Sequence, residues 1–343
     1  MKGPANLAGS TATTAAALER AVRAAILAPS VHNTQPWLFR IEERTLQVHA
    51  DRGRQLRSLD PSGRLLLVSC GCAVATAAAR LRADGWTPEI TMVPDPENTD
   101  HLADLRLVED APKPDPPEHL RALGEAIELR HSQRAPFVQS HLSDEIIERL
   151  RAVARAEGGW FRPLRDDDER LTFTTLLDQA DWLQRSDPAY REELRAWVRT
   201  MPSSDGIAAA ALPDADPQRT DVLLREFDID SPASARRAHR ATPPPTEHAA
   251  IALLGTERDR PLDRLVAGRV LGTVLLALTV EGLQASVLGQ VVDLADSRRV
   301  LQARLGVRGP IQVALRIGRG PSTTASPRRP LEDVLIVGTT PEA

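Results

Sequence analysis

Lysine is almost missing from these 343 residues: Lys2 and Lys113 stand alone, and arginine supplies the rest of the 43 basic side chains. Against 47 acidic residues the formal net charge is −4, so no global positive field recommends a nucleic acid or an anionic membrane as partner. The same arginine bias lowers the weight of any single arginine as a functional signal. Cysteine is as scarce. Cys70 and Cys72, in SCGC within an apolar run, are badly spaced for a structural disulfide and too few for a zinc site. They read as buried thiols of a cytoplasmic protein. The first residues, MKGPANLAGSTATT, lack the apolar region of a secretory signal. The most apolar segment, Val270 to Val280, falls short of the about 20 residues that span a bilayer and is expected as a buried helix. Metal-ligand spacings, a Walker A loop and a strand-anchored GxGxxG are all absent from the sequence.

What is present is ordinary for a globular chain, 42% apolar and 26% charged, at a length that suggests two subdomains or a duplicated unit. Leu18, Val22 and Ile26 recur at spacing four, predicting a helix over 15–28 that Pro29 ends. WLFRI and TLQVHA flank a short turn and read as paired strands. An apolar helix is expected over 64–83, and PEITMV resembles another strand. EDAPKPDPPE, 109–118, holds four prolines and hardly an apolar side chain, which marks the clearest internal boundary. Helices follow at 117–130, after the cap Ser143, after Asp166 with Glu169 in capping-box style, and at Asp187-Pro188. WFRPL, AAIALLG and IQVALRIG read as strands around a second apolar helix at 263–282. Between 201 and 248 periodicity fails, as in lids and disordered segments. The order predicts an α+β chain: an N-terminal half (1–110), a proline-rich linker (111–118) and a C-terminal half (119–343) carrying the insertion at 201–248.

Four polar constellations stand out. PSVHNTQPW, Pro29 to Trp37, sets hydrogen-bonding side chains between two prolines. Turn chemistry accounts for its composition, and so does a flat heterocycle whose edge alternates donors and acceptors, for which Asn and Gln amides are suited. RHSQR, Arg130 to Arg134, closes a helix, as a solvated basic C-terminus or as a phosphate and polyol site. GLQASVLGQ, Gly282 to Gln290, follows the second apolar helix as a loop. A basic tail holds Arg328 and Arg329 before Pro330.

Taken in this order, the patterns resemble the nitroreductase family of FMN enzymes. Pro29, Ser30, Asn33, Gln35, Pro36 and Trp37 match PSxxNxQPW; Arg130, Ser132 and Arg134 match RxSxR; Gly282-Leu283 and the Arg328–Pro330 tail supply the rest. The resemblance spans most of the chain apart from 201–248. Ordinary members carry RxSxR before PSxxNxQPW, and two chains pair around two flavins. Here the order is reversed and neither half holds both motifs, which is similar to the Acg-type subfamily. That resemblance implies a nitroreductase-like fold closed as an internal pseudo-dimer of two degenerate halves, holding one FMN in a monomer, although further self-association stays open. It implies NAD(P)H as reductant and a small, flat electron acceptor such as a nitro compound or quinone. A flavin-storing protein covered by its insertion and a specialised biosynthetic dehydrogenase remain the alternatives. The resemblance places Pro29, Ser30, Asn33 and Gln35 along the flavin ring. Arg130, His131 and Ser132 would lie on phosphate and ribityl oxygens, and Arg134 at the pyrimidine edge. Ser286, Leu288 and Gly289 would stand near N5, with Arg328, and Arg329 after it, on the phosphate. The flavin, not a protein acid or base, would carry the hydride.

Overall fold

The computed structural model describes residues 4–108, 111–138, 141–209, 222, 224–225, 227, 249–321 and 325–336, with backbone alone over 4–12. Most of the insertion therefore lies outside the described residues. In chain order the first half holds α1 (Pro4–Ile26), β1 (Trp37–Glu42), β2 (Thr45–Ala50), α2 (Arg64–Ala83), β3 (Pro88–Met92) and β4 (His101–Leu107). Then come α3 (Glu118–Leu129), α4 (Asp144–Ala156), β5 (Trp160–Pro163), α5 (Asp167–Ser186), α6 (Pro188–Trp197), β6 (Val198–Arg199), β7 (Ile207–Ala208) and β8 (Ala250–Gly255). The chain continues through α7 (Pro261–Val280), β9 (Gln284–Val287), α8 (Gln290–Asp293), α9 (Ala295–Arg304), β10 (Ile311–Gly318), α10 (Leu331–Val334) and β11 (Leu335–Ile336).

The mixed α+β class follows the sequence patterns. Along α1 the stripe Leu18, Ala21, Val22 and Ala25 is buried. That helix begins well before residue 15, because the alanine-rich stretch ahead of it has high helix propensity. Ser143 caps α4 by accepting from Ile146 N at 3.4 Å, and Asp187 caps α6 by accepting from Ala189 N at 2.9 Å. The box expected at α5 is half formed. Asp166 accepts from Glu169 N at 2.9 Å, but Glu169 turns to Arg165 N and the guanidinium of Arg162. QASV, within the expected loop, is a strand. Gly282 stops α7 at φ 65°, and residues 284–287 then pair with β10. HLADLRL forms β4, a strand for which the sequence gives no clean alternation.

The strands make a five-stranded sheet, β11-β1-β2-β4-β3, a four-stranded sheet, β5-β8-β10-β9, and a two-stranded pair, β6-β7. Helix α2 lies against the first and α7 against the second, and the two helices pack on each other between the sheets. They cross at Gly71 and Gly268, where a Cβ on Gly71 would come within 2.1 Å of Leu265 O and 2.8 Å of Gly268 Cα. Only glycine lets these backbones approach so closely. Helix α2 is long and apolar enough to cross a membrane on length and composition alone, with mean hydropathy 1.5, and 89% of that stretch is buried inside the fold. Cys70 and Cys72 are free, buried thiols, Cys72 against Gly272 at the helix contact and Cys70 donating to Pro36 O at 3.1 Å. The proline-rich stretch after residue 110 runs along the first half, tied by Lys113 N to Gly85 O at 2.8 Å. The last strand, β11, returns across the molecule to pair in parallel with β1, Phe39 opposite Leu335.

Candidate functional site

After α1 the chain enters a tight turn. His32, Asn33 and Gln35 have φ of 47°, 54° and 49°, in the left-handed region that costs a non-glycine residue about 1–2 kcal/mol. Local bonds hold the turn: Gln35 N donates to Ser30 Oγ at 3.0 Å, and Val31 N donates to Ser69 Oγ of α2 at 3.1 Å. Pro29, beside Ser30, is half-buried at the mouth of the turn. The amides of Asn33 and Gln35 are buried and engaged by the protein itself. Asn33 Nδ2 donates to Gly206 O at 2.9 Å and Pro327 O at 3.0 Å, while Asn33 Oδ1 accepts from Arg328 Nη1 at 3.2 Å. Gln35 Nε2 donates to Ser204 O at 2.9 Å, and Gln35 Oε1 accepts from Arg329 N at 2.8 Å. Both amides clamp the start of the insertion and the C-terminal tail to the turn.

The RHSQR segment is not the last turn of a helix. Helix α3 ends at Leu129, Arg130 is extended, and Ser132 bridges Ala285 of β9 in parallel. Extension alternates the side chains. His131 and Gln133 turn towards Gln284: His131 Nε2 lies 3.2 Å from Gln284 Nε2, and Gln133 Nε2 donates to Gln284 Oε1 at 2.9 Å. Arg130 turns towards α1, donating from Nη2 to Leu27 O at 3.0 Å. Arg328 reaches the same carbonyl from the tail, Nη2 to Leu27 O at 3.1 Å. Arg130 Nη1 and Arg328 Nε are buried without a partner. Arg134 makes no hydrogen bond or ion pair among the described residues.

Among the described residues no carboxylate pairs with this cluster. Burial pushes Arg130 down to about 10 and Arg328 down to about 9, with the charges of Arg130 and Arg134 adding to the effect on Arg328. Burial lowers Arg134 as well. A guanidinium keeps its proton at neutral pH at any of these values. The end of α1 thus gathers Arg130, Arg134 and Arg328 as positive charges with orphaned donors, an arrangement that calls for an anion.

The other sequence-derived residues lie apart from this cluster or support it. Ser286 Oγ donates to Gln133 O at 2.5 Å and accepts from Arg316 Nη2 at 3.2 Å. Leu288 is buried in the second core, and its N–H donates to Ala314 O at 2.8 Å, so the backbone donor expected from this segment is already paired at that residue. Gly289 faces Asp293 and Arg225. Arg329 Nη1 is taken up by Gln35 O at 3.2 Å and Asp51 Oδ2 at 3.4 Å, which makes it part of the wall. Gln133, Arg225 and Arg316 were missed by sequence reasoning. Arg316 carried a signal: a basic residue on an otherwise apolar strand, here fully buried and 4.4 Å over the Phe137 ring. Arg225 carried none, because its segment has no periodicity.

A protein of Mycobacterium tuberculosis (strain ATCC 25618 / H37Rv) named "Putative NAD(P)H nitroreductase Rv3131" is 31% identical over 319 residues, covering 91% of this chain and 88% of its own. The chain belongs to the nitroreductase family. A second relative from that strain, "Putative NAD(P)H nitroreductase acg", is 28% identical to this nitroreductase-family chain over 331 residues, 95% of this chain and 97% of that one. No protein-family model matches. Among solved structures, the FMN and NADPH-dependent nitroreductase NfnB from Sphigopyxis sp. strain HMH covers 64% of this chain and 99% of its own at 17% identity, with a TM-score of 0.37, a likeness too slight to argue from.

Proposed function

We propose that this nitroreductase-family chain is an FMN-dependent oxidoreductase that takes hydride from NAD(P)H and delivers it to a small, flat electron acceptor such as a nitro compound or a quinone. The observation that carries this reading is the cluster of Arg130, Arg134 and Arg328, without a paired carboxylate among the described residues, in which the buried orphan donors of Arg130 and Arg328 fit a phosphate. Bound FMN would supply the hydride chemistry, so the protein's task is binding, orientation and electrostatics. Arg130 and Arg328 would hold the phosphate, and Ser132, on the same side of its extended segment by alternation, would be available to a ribityl hydroxyl. Arg134, which makes no hydrogen bond or ion pair among the described residues, would be left for the pyrimidine edge, where a fixed cation favours negative charge. Asn33 and Gln35 shape the wall by fixing the backbone of the turn, since their amides are already engaged. The two helix–sheet units, each bearing one motif, act as an internal pseudo-dimer around one flavin, in a cytoplasmic monomer.

The test is stoichiometry. Flavin released by heat from saturated protein is expected to equal the protein mole for mole; two flavins, or none, overturns the reading. One observation favours a second reading as a flavin-holding protein. Ser204, Gly206 and Arg225, all from the insertion, bond to residues of the turn, so the insertion reaches the site. Stopped-flow mixing with NADPH separates the two. Bleaching of the flavin at a catalytic rate supports the reductase, and a flavin that stays oxidised supports storage.

A further inference from the structure

His32 stands in the left-handed turn beside the arginine cluster, with its ring edge-on to Phe227 at 5.8 Å between centroids. Arg225 Nη1, from the insertion, lies 3.4 Å from His32 Nε2. A guanidinium has donors and no acceptor, so the imidazole nitrogen facing it has to accept. In a neutral ring that leaves the proton on Nδ1. Burial first, then the charges of Arg225 and Arg134, hold the imidazole well below its ordinary range and so keep it neutral. Nδ1 is itself buried and has no partner among the described residues.

Arg225 is anchored on its other contacts. Nη1 donates to Tyr190 OH of α6 at 2.8 Å, and Nη2 donates to Asp293 Oδ2 at 2.7 Å. Asp293 also accepts from Arg64 Nη2 of α2 at 3.2 Å, which fixes the carboxylate from the opposite side. The chain Arg64–Asp293–Arg225 thus holds the guanidinium in place, with Nη1 donating to Tyr190 and turning its second hydrogen towards His32. An unpaired buried N–H is costly, and a native fold keeps one where something else will accept from it.

We propose that Arg225 is a positioning residue that fixes His32 as the Nδ1–H tautomer, so that His32 donates a hydrogen bond to an oxygen of the molecule bound in the pocket. That oxygen is a carbonyl of the flavin or a carbonyl or nitro oxygen of the electron acceptor. The opposite tautomer would turn a lone pair towards the same oxygen and repel it. The identity of the oxygen rests on the proposed function; the tautomer does not.

The experiment is a long-range proton–nitrogen correlation spectrum of the full chain, ¹⁵N-labelled at histidine, with His32 assigned by its loss in His32→Gln. Before any flavin is added, Nδ1 is expected to carry the proton and Nε2 to be bare. Arg225→Met is expected to lose the single tautomer, and Arg225→Lys, which keeps a charged donor, to restore it. A wild-type proton on Nε2, or an unchanged tautomer in Arg225→Met, overturns the positioning role. The wild-type spectrum decides alone if Arg225→Met fails to fold. FMN and then 1,4-naphthoquinone are next added to the wild type. A downfield shift of the Nδ1–H proton with FMN assigns the flavin oxygen, and one with the quinone assigns the acceptor oxygen. No shift with either overturns the donor role. A protein that gains no flavin absorbance refutes the proposed function separately, since the tautomer is read before flavin is present.

Discussion

Two buried regions of this chain treat polarity in opposite ways. Where α2 crosses α7, the surfaces are glycine, alanine and thiol, and the polar groups close locally, as Thr76 Oγ1 does on Cys72 O at 2.8 Å. Burial pushes Cys72 up to about 12 and Cys70 up as well, so both thiols are neutral packing groups. At the end of α1, Arg130, Arg328 and His32 each bury a nitrogen with no partner among the described residues. The first region is completed by the chain alone. The second is stable only to the extent that the fold over-determines it, and on the proposed function an anion would complete it.

The largest effect is expected from breaking the closed region. Gly71→Val puts side-chain atoms against the backbone at Leu265 and Gly268, and neither backbone can move aside. Overpacking of this kind is expected to cost at least about 3 kcal/mol, read by thermal unfolding followed by far-ultraviolet circular dichroism. An unchanged melting temperature would mean that the helices part easily and that the contrast is false. Arg134→Met tests the open region. It is expected to loosen FMN about 10- to 100-fold, the worth of a charge-assisted contact, in a flavin titration. The flavin-free protein should melt at the same temperature or higher, because an unpaired buried charge has gone. A lower melting temperature would give Arg134 a role in the fold itself.

A smaller effect is expected at a site that changes character with pH. His49 of β2 stacks on His101 of β4, ring centroids 4.5 Å apart. Burial, then the charges of His101 and Arg40, hold His49 down to about 4 from an ordinary 6.5. Between these values the unfolded chain binds a proton that the folded chain refuses, so stability falls as pH drops from 6.5 through 4. Solvent screening at this half-buried site reduces the loss to about 1 kcal/mol. In urea titrations across that window His49→Gln is expected to flatten the loss; an unaltered slope would assign the acid sensitivity elsewhere.

The helices were legible because each carries an apolar stripe or is apolar throughout, and their caps obey local rules that need no tertiary knowledge. The strand at 284–287 was not, since its conformation comes from pairing with β10 and its own four residues alternate too briefly to declare it. The RHSQR segment was placed on a helix end for the same reason: its extension depends on β9. In the candidate site the residue types were legible, and their partners were not. Asn33 and Gln35 look like ligand-facing amides in sequence, yet their bonds go to Gly206, Ser204 and the tail, residues no local pattern could have brought there. Arg316 was hidden by the ordinary rule that a charge on a strand points to water, which fails when an aromatic ring and several carbonyls receive it.

The return of the C-terminal tail to β1 has a consequence for the order in which the molecule assembles. Leu27 and Arg328, which meet at the end of α1, are 301 positions apart in the chain. Contacts so distant in sequence close only after much of the intervening structure exists, because the entropy of the loop has to be offset before they contribute. Helix α1, the β1–β2 hairpin and α2 can form early from neighbouring residues, whereas Arg328 joins Asn33 and Arg130 last. The positive cluster therefore exists only in chains in which Leu27, Arg130 and Arg328 have already met, and an anion that bound it would select finished molecules over partly folded ones.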